Sequence, residues 1–275
     1  MSGEDVSPRP VHLFPRKTAR IDRVALRRNV RKAAKTIAEA DFLAREIDQR
    51  MQERLDYVRL APERVLDLGC GTGISLAGLA ARYPRAECLG IDQESLLLEG
   101  ISTAGHFLAA RAEALPLPAA CAGLVWANLL LPWLDDPQDF FREAWRVLSP
   151  GGLLMFSSLG PDTLREIGEG LADYDANAHT QHFFDLHDLG DMLLAARFDD
   201  PVMDMERLIV TYANLDAFLA DLRAAGAACV MTGRRKSLAG RGFRRALERY
   251  CARQMQARED GRLPMTFEIL YGHAW

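Results

Sequence analysis

Asp67, Leu68, Gly69, Cys70, Gly71, Thr72 and Gly73 set three glycines at alternate positions directly after the apolar pair Val65 and Leu66. Glycines so spaced let a backbone approach a ligand closely at positive φ, and the free N–H groups of a following helix then face that ligand. The segment suits a cofactor cradle. A dinucleotide GxGxxG turn would need glycine at 74 or 76, where Ile74 and Leu76 stand, and no lysine follows to make a P-loop. A second chemically suggestive group is His179, His182 and His187 with Asp185, which lacks HxxxH or HExxH spacing. Pocket lining, ordinary structure and metal ligation all stay open for it. The five cysteines, at 70, 88, 121, 229 and 251, never form CxxC, so neither a zinc ribbon nor a disulfide framework is expected.

The elements that must hold these residues are legible as alternating strands and helices. Val65 and Leu66 lead into the glycine turn, and an apolar helix follows from Ile74 to Ala81. Cys88 to Ile91 is a second strand, ending in Asp92 and followed by helix from Glu94. Phe107–Ala110, Leu124–Ala127, the helix Asp139–Leu148, the turn at Pro150, Gly151 and Gly152, and the strand Leu153–Ser157 continue a βαβ series with parallel strands. Beyond Pro161 helices are expected at Thr163–Leu171, Leu186–Ala196 and Leu215–Ala225, with strands at Glu206–Tyr212 and Met265–Tyr271. Upstream, Ile21 to Leu55 carries the spacing of one or two amphipathic helices, preceded by a loose arm over residues 1–15. The uncharged run Leu115–Leu134 is long enough to span a membrane, yet three prolines and Asn128 interrupt it, so a buried strand with its loops is expected.

The 275 residues fit one elaborated domain, and 49% hydrophobic with 26% charged residues is globular composition. The net charge of −4 hides a marked asymmetry. Residues 1–35 hold ten Arg/Lys against three acids and residues 231–253 hold eight against one. Two such segments on an acidic body would steer an anionic partner. The opening residues lack a signal-peptide pattern, and a cytoplasmic location is expected, with no membrane and no nucleic-acid partner.

DLGCGTG resembles the first motif of class I S-adenosylmethionine-dependent methyltransferases, and Asp92, the loop Arg111–Pro116 and the late Pro-Gly-Gly turn follow at matching distances. The stretches from Gly160 to Glu166, from Phe183 to Glu206, GRRKSLAG from Gly233 and LPMTFEILYGHAW at the end are similar to the malonyl-acyl-carrier-protein O-methyltransferases of biotin synthesis, over nearly all the chain from Arg27. The resemblance implies an α/β fold with a Rossmann-like seven-stranded sheet, an N-terminal basic helical lid over residues 16–60, and a methyltransferase domain over 61–275. Helical additions at about 161–260 would form the acceptor side. It implies S-adenosylmethionine as cofactor, held by Asp67, Gly69, Cys70, Gly71, Gly73, Asp92, Gln93, Ala112, Glu113 and Asn128.

By the same resemblance the acceptor is the carboxylate of a malonyl thioester on an acidic acyl carrier protein. Such a carboxylate is ionised near neutrality, so no general base is expected, and a cation would pair it during docking. Asn128, Trp133 and His182 are the candidate acceptor-pocket residues. Arg27, Arg28, Arg31, Lys32, Arg234, Arg235, Arg241, Arg244 and Arg245 are the candidate docking cations. Two positions depart from the family: Arg111 stands where Asp often accepts the adenine amino group, and Ile37 stands where an aromatic residue folds over the cofactor. Those departures keep two other readings open, an arginine hydroxylase of the complex I assembly type and a non-catalytic carrier-binding paralogue.

Overall fold

The computed structural model describes residues 20–101, 105–172, 174, 177–236 and 241–275. The arm over residues 1–15 lies outside the described residues, as does the side chain of Arg241. Two helices come first, α1 (Arg23–Ala33) and α2 (Phe42–Arg54), joined through a 3-10 turn at Ile37–Glu39. Then follow β1 (Arg64–Leu68), α3 (Ile74–Arg82), β2 (Glu87–Asp92), α4 (Ser95–Leu98), β3 (His106–Ala109), β4 (Ala122–Ala127), α5 (Pro137–Val147) and β5 (Leu148–Leu159). The second half contributes α6 (Arg165–Leu171), α7 (Leu186–Ala195), β6 (Val202–Tyr212), α8 (Leu215–Ala224), α9 (Arg241–Gln256) and β7 (Leu263–Ala274).

Period-two side-chain alternation decides which face each strand residue occupies. Leu66, Val125, Leu154 and Phe156 pack toward α5 and α7, against Phe140, Phe141 and Leu193. Val65, Leu124, Trp126, Leu153 and Met155 pack the other way, against α2, α3, α8 and α9 through Ile47, Met51, Leu79, Phe218 and Leu247. Both faces are covered, as parallel strands require. The sheet has seven strands in the order β3-β2-β1-β4-β5-β7-β6, parallel from β3 to β5. Strand β7 runs antiparallel between β5 and β6.

The expected strand and helix order is present, with differences at the boundaries. β5 begins at Leu148, before the Pro-Gly-Gly turn, because its pairing with β4 shifts register between Ala122 and Leu124, and Gly151 takes φ +75° there. The helix expected from Glu94 is only the four residues of α4. Helix α9, sixteen residues long, has no counterpart among the helices expected from the pattern. Leu115–Leu134 forms β4 with its loops, and among the described residues no helix is long and apolar enough to cross a membrane.

Candidate active site

The glycine turn lies where β1 ends in the middle of the sheet. Gly69, Gly71 and Gly73 all have positive φ, at 71°, 54° and 79°, and Gly73 caps α3. A Cβ on Gly69 would come within 2.7 Å of Leu130 Cδ1, whereas one on Gly71 would meet nothing within 4 Å. The turn is thus tight on its protein side and open on the other. The Gly71 N–H donates to Asp92 Oδ2 at 3.1 Å, and the Glu94 N–H donates to Oδ1 at 2.8 Å. Burial raises the Asp92 carboxyl above its ordinary value, and these two backbone N–H bonds oppose the shift.

Asp67 is 1% exposed, and its Oδ2 has no hydrogen-bond partner. Burial holds its carboxyl well above the usual carboxylate range, with the negative charges of Asp48 and Asp92 adding to the effect. An isolated buried carboxylate is costly, so the position calls for a cation or a donor. Behind it, Asp48 on α2 accepts from Trp126 Nε1 at 3.1 Å and Gln52 Nε2 at 2.6 Å, which ties α2 to the sheet.

A cavity of about 490 Å³ opens from this turn and continues between α1, α2, α8, α9 and the segment 179–183. Of the residues expected around a cofactor, Asp67, Gly69, Cys70, Gly71, Asp92, Gln93 and Asn128 line it. Gly73, Ala112 and Glu113 do not: Gly73 faces Ile101, while Arg111 and Ala114 close a bridge around Ala112. Glu113 instead accepts from Arg23 of α1 and from Arg111, each at 3.0 Å. Arg111 therefore stands outside the cavity, and Ile37 lies within its lining at the turn between α1 and α2.

On the acceptor side Trp133 lines the cavity, but His182 is exposed and His179 takes the lining position. His187 is exposed, and Asp185 caps α7 by accepting from the Asp188 N–H at 2.7 Å. Asn128 is committed to the protein: it donates to the Ala44 carbonyl and accepts from Ser157 Oγ, both at 2.8 Å. It holds the start of α2, with one amide N–H and one lone pair of its oxygen engaged. A cation is expected to pair the acceptor; among the described residues Arg223 is the one Arg or Lys in the lining, and it is exposed. Polar lining residues outside the expected set include Asp41, Gln181, Tyr212 and Asp221, and the Tyr212 phenol donates to the Asp221 carboxylate at 2.9 Å. Asp41 carried a signal, since it opens α2 as its N-cap.

Strong nucleophiles are suppressed. Burial pushes the Cys70 and Cys229 thiols up, and burial with the Asp221 hydrogen bond raises the Tyr212 phenol. What remains is a largely apolar passage with acceptors at the glycine-turn end.

Helix α1 covers this passage. Asp22 caps it through the Ala25 N–H, Ile21 and Met231 form a bridge, and the Asp22 N–H donates to the Val230 carbonyl at 2.7 Å. Arg23 pairs with Glu113 and Asp135, and Arg27 pairs with Glu94. Arg234, expected as a docking cation, is bonded to Asp22 at 2.9 Å and only 16% exposed. Arg244 pairs with Asp216 and Glu248, and Arg235 sits over the Tyr174 ring. Arg28, Arg31, Lys32 and Arg245 are exposed. The two basic segments thus meet along α1 and residues 230–236, with several cations engaged in holding the lid.

With β7 reversed between β5 and β6 and the glycine turn at the end of β1, beside the central strand β4, the sheet has the architecture of class I S-adenosylmethionine-dependent methyltransferases. A family model described as "Methyltransferase domain" matches residues 66–156. In fold, the chain is similar to the YcgJ protein from Bacillus subtilis, with a TM-score of 0.58 and 15% identity over 83% of this chain and 97% of that one. It is likewise similar to a putative methyltransferase from Bacillus halodurans, with a TM-score of 0.56 and 18% identity over 81% and 96%. Relatives along the whole chain are narrower in kind. The malonyl-[acyl-carrier protein] O-methyltransferase of Methylovorus sp. is 42% identical, covering 93% of this chain and 89% of the relative. That of Laribacter hongkongensis is 41% identical over 92% and 89%. The chain belongs to the malonyl-[acyl-carrier protein] O-methyltransferase family.

Proposed function

We propose that the protein methylates the free carboxylate of a malonyl group carried as a thioester on an acyl carrier protein, with S-adenosylmethionine as methyl donor. The observation that carries this reading is one continuous cavity, acidic beside the glycine turn and apolar toward α8 and α9, in a chain 42% identical to a relative of that name. The cofactor, when bound, supplies an electrophilic methyl group on a sulfonium. The residues present fit it. The unpaired Asp67 Oδ2 suits the cationic methionine end, and the open side of Gly71 accommodates close approach to the backbone. Asp92, beside Gln93, keeps a lone pair on each oxygen for the ribose hydroxyls. Ala112 and Glu113 are left out of this set, because they stand outside the cavity.

A carboxylate acceptor is its own nucleophile, so the chain's task is alignment and exclusion of water. Helix α1, Trp133 and Phe183 close over the cavity, and the raised thiols and the engaged phenol do not compete as acceptors. The acidic carrier would dock on the exposed cations Arg28, Arg31, Lys32 and Arg245, which orient an anionic partner by long-range attraction. The deciding experiment incubates the protein with methyl-labelled S-adenosylmethionine and malonyl carrier protein. A base-labile methyl ester is expected. No ester, with a 16 Da gain on an arginine of a partner protein, would replace this reading by the hydroxylase one, and neither product would leave a binding module.

A further inference from the structure

We propose that Gln181 is the residue that orients the acceptor, its side-chain N–H donating to an oxygen of the malonyl carboxylate. The inference rests on the function proposed above and concerns which group meets the substrate's charge. Gln181 lines the cavity, and its Nε2 is buried without a hydrogen-bond partner. Its Oε1 accepts from the Val230 N–H at 3.3 Å. That bond fixes the amide's sense, since the flipped amide would set two donors against each other, so the N–H groups point away from Val230. The Val230 carbonyl meanwhile accepts from the Asp22 N–H at the start of α1. One fully buried residue therefore holds both the lid and the acceptor-side amide.

A neutral donor suits this reaction better than a cation. The sulfonium and the carboxylate both lose their charge as the methyl moves, so a strong ion pair to the carboxylate would stabilise the ground state more than the transition state. An amide N–H directs the oxygen at smaller ground-state cost. The lining agrees, since Arg223, its one Arg or Lys among the described residues, is exposed, and Asp41 and Asp67 carry unpaired acceptors that suit the opposite charge.

The test compares the unchanged protein with Gln181→Leu and Gln181→Glu. Leu removes the donor, and kcat/KM for malonyl carrier should fall by about 10- to 100-fold, with S-adenosylhomocysteine affinity by calorimetry changed less than about twofold. Glu keeps the acceptor toward Val230 but donates only when protonated. Its activity should therefore rise as pH is lowered from about 8 to about 5.5, where the unchanged enzyme, acting on an already ionised acceptor, stays nearly flat. Equal kcat/KM in the Leu variant, a parallel loss of S-adenosylhomocysteine affinity, or a flat profile for the Glu variant would each overturn the assignment while leaving the proposed function standing. Absence of turnover in the unchanged protein would remove both.

Discussion

Asp67 is 1% exposed and has one oxygen unanswered, so its charge is costly in the protein alone and favourable beside a cation. Its folded-state pKa is raised by burial, so its contribution to stability is present below the ordinary value of 3.8 and is lost as pH rises through the raised one. Thermal unfolding without ligand should thus show a midpoint that falls as pH rises above about 4, while S-adenosylmethionine affinity strengthens over the same window. Asp67→Asn should flatten both trends and weaken the cofactor by about tenfold or more, measured by calorimetry. Some slope will survive, because Asp48 and Asp92 are shifted the same way. A steep, unchanged slope in Asp67→Asn would refute this account. Residues in the local β1-turn-α3 motif were legible in sequence because the turn's own backbone dictates them. Gln181, Ala112 and His182 were not, because which loop residue enters the cavity depends on contacts such as Val230 with Gln181, 49 positions apart.

Among the elements, α1 is held over the cavity by ion pairs to Glu113 and Glu94 whose arginines are 31% and 59% exposed at Arg23 and Arg27. Pairs that wet contribute about 0–1 kcal/mol each and weaken in salt. Arg23→Ala with Arg27→Ala should raise the S-adenosylhomocysteine dissociation constant about three- to tenfold, and added salt should affect the unchanged protein more than the variant. Equal salt response in the two would show that the lid is held otherwise. A second element, α6, is fastened to β7 where buried Glu166 accepts from the Thr266 N–H at 3.1 Å and from its hydroxyl. Thr266→Val leaves that carboxylate one bond short, and urea unfolding should show a loss of about 1–3 kcal/mol. Alternating apolar strands made most of the sheet readable. Helix α9 was missed because its arginines dominate the pattern, and its buried stripe of Leu247, Tyr250 and Cys251 is narrow.

For the molecule as a whole, a net charge of −4 conceals a basic face formed where α1 meets residues 230–236. Sequence counted the cations but could not say that the two segments adjoin, nor that Arg234 and Arg244 are already paired. Replacing Arg28, Arg31 and Lys32 with alanine should raise KM for the carrier-linked substrate about tenfold at low ionic strength, less at high, with cofactor affinity unchanged. An unaltered KM would move the docking surface elsewhere. The reversed strand also governs the order in which the molecule can be made. β6 leaves the ribosome some fifty residues before β7, and among the described strands β7 is its only partner. Until β7 threads between them, β5 and β6 both present bare ladders, so nascent chains halted before residue 263 should clump, as sedimentation of such truncated chains would show.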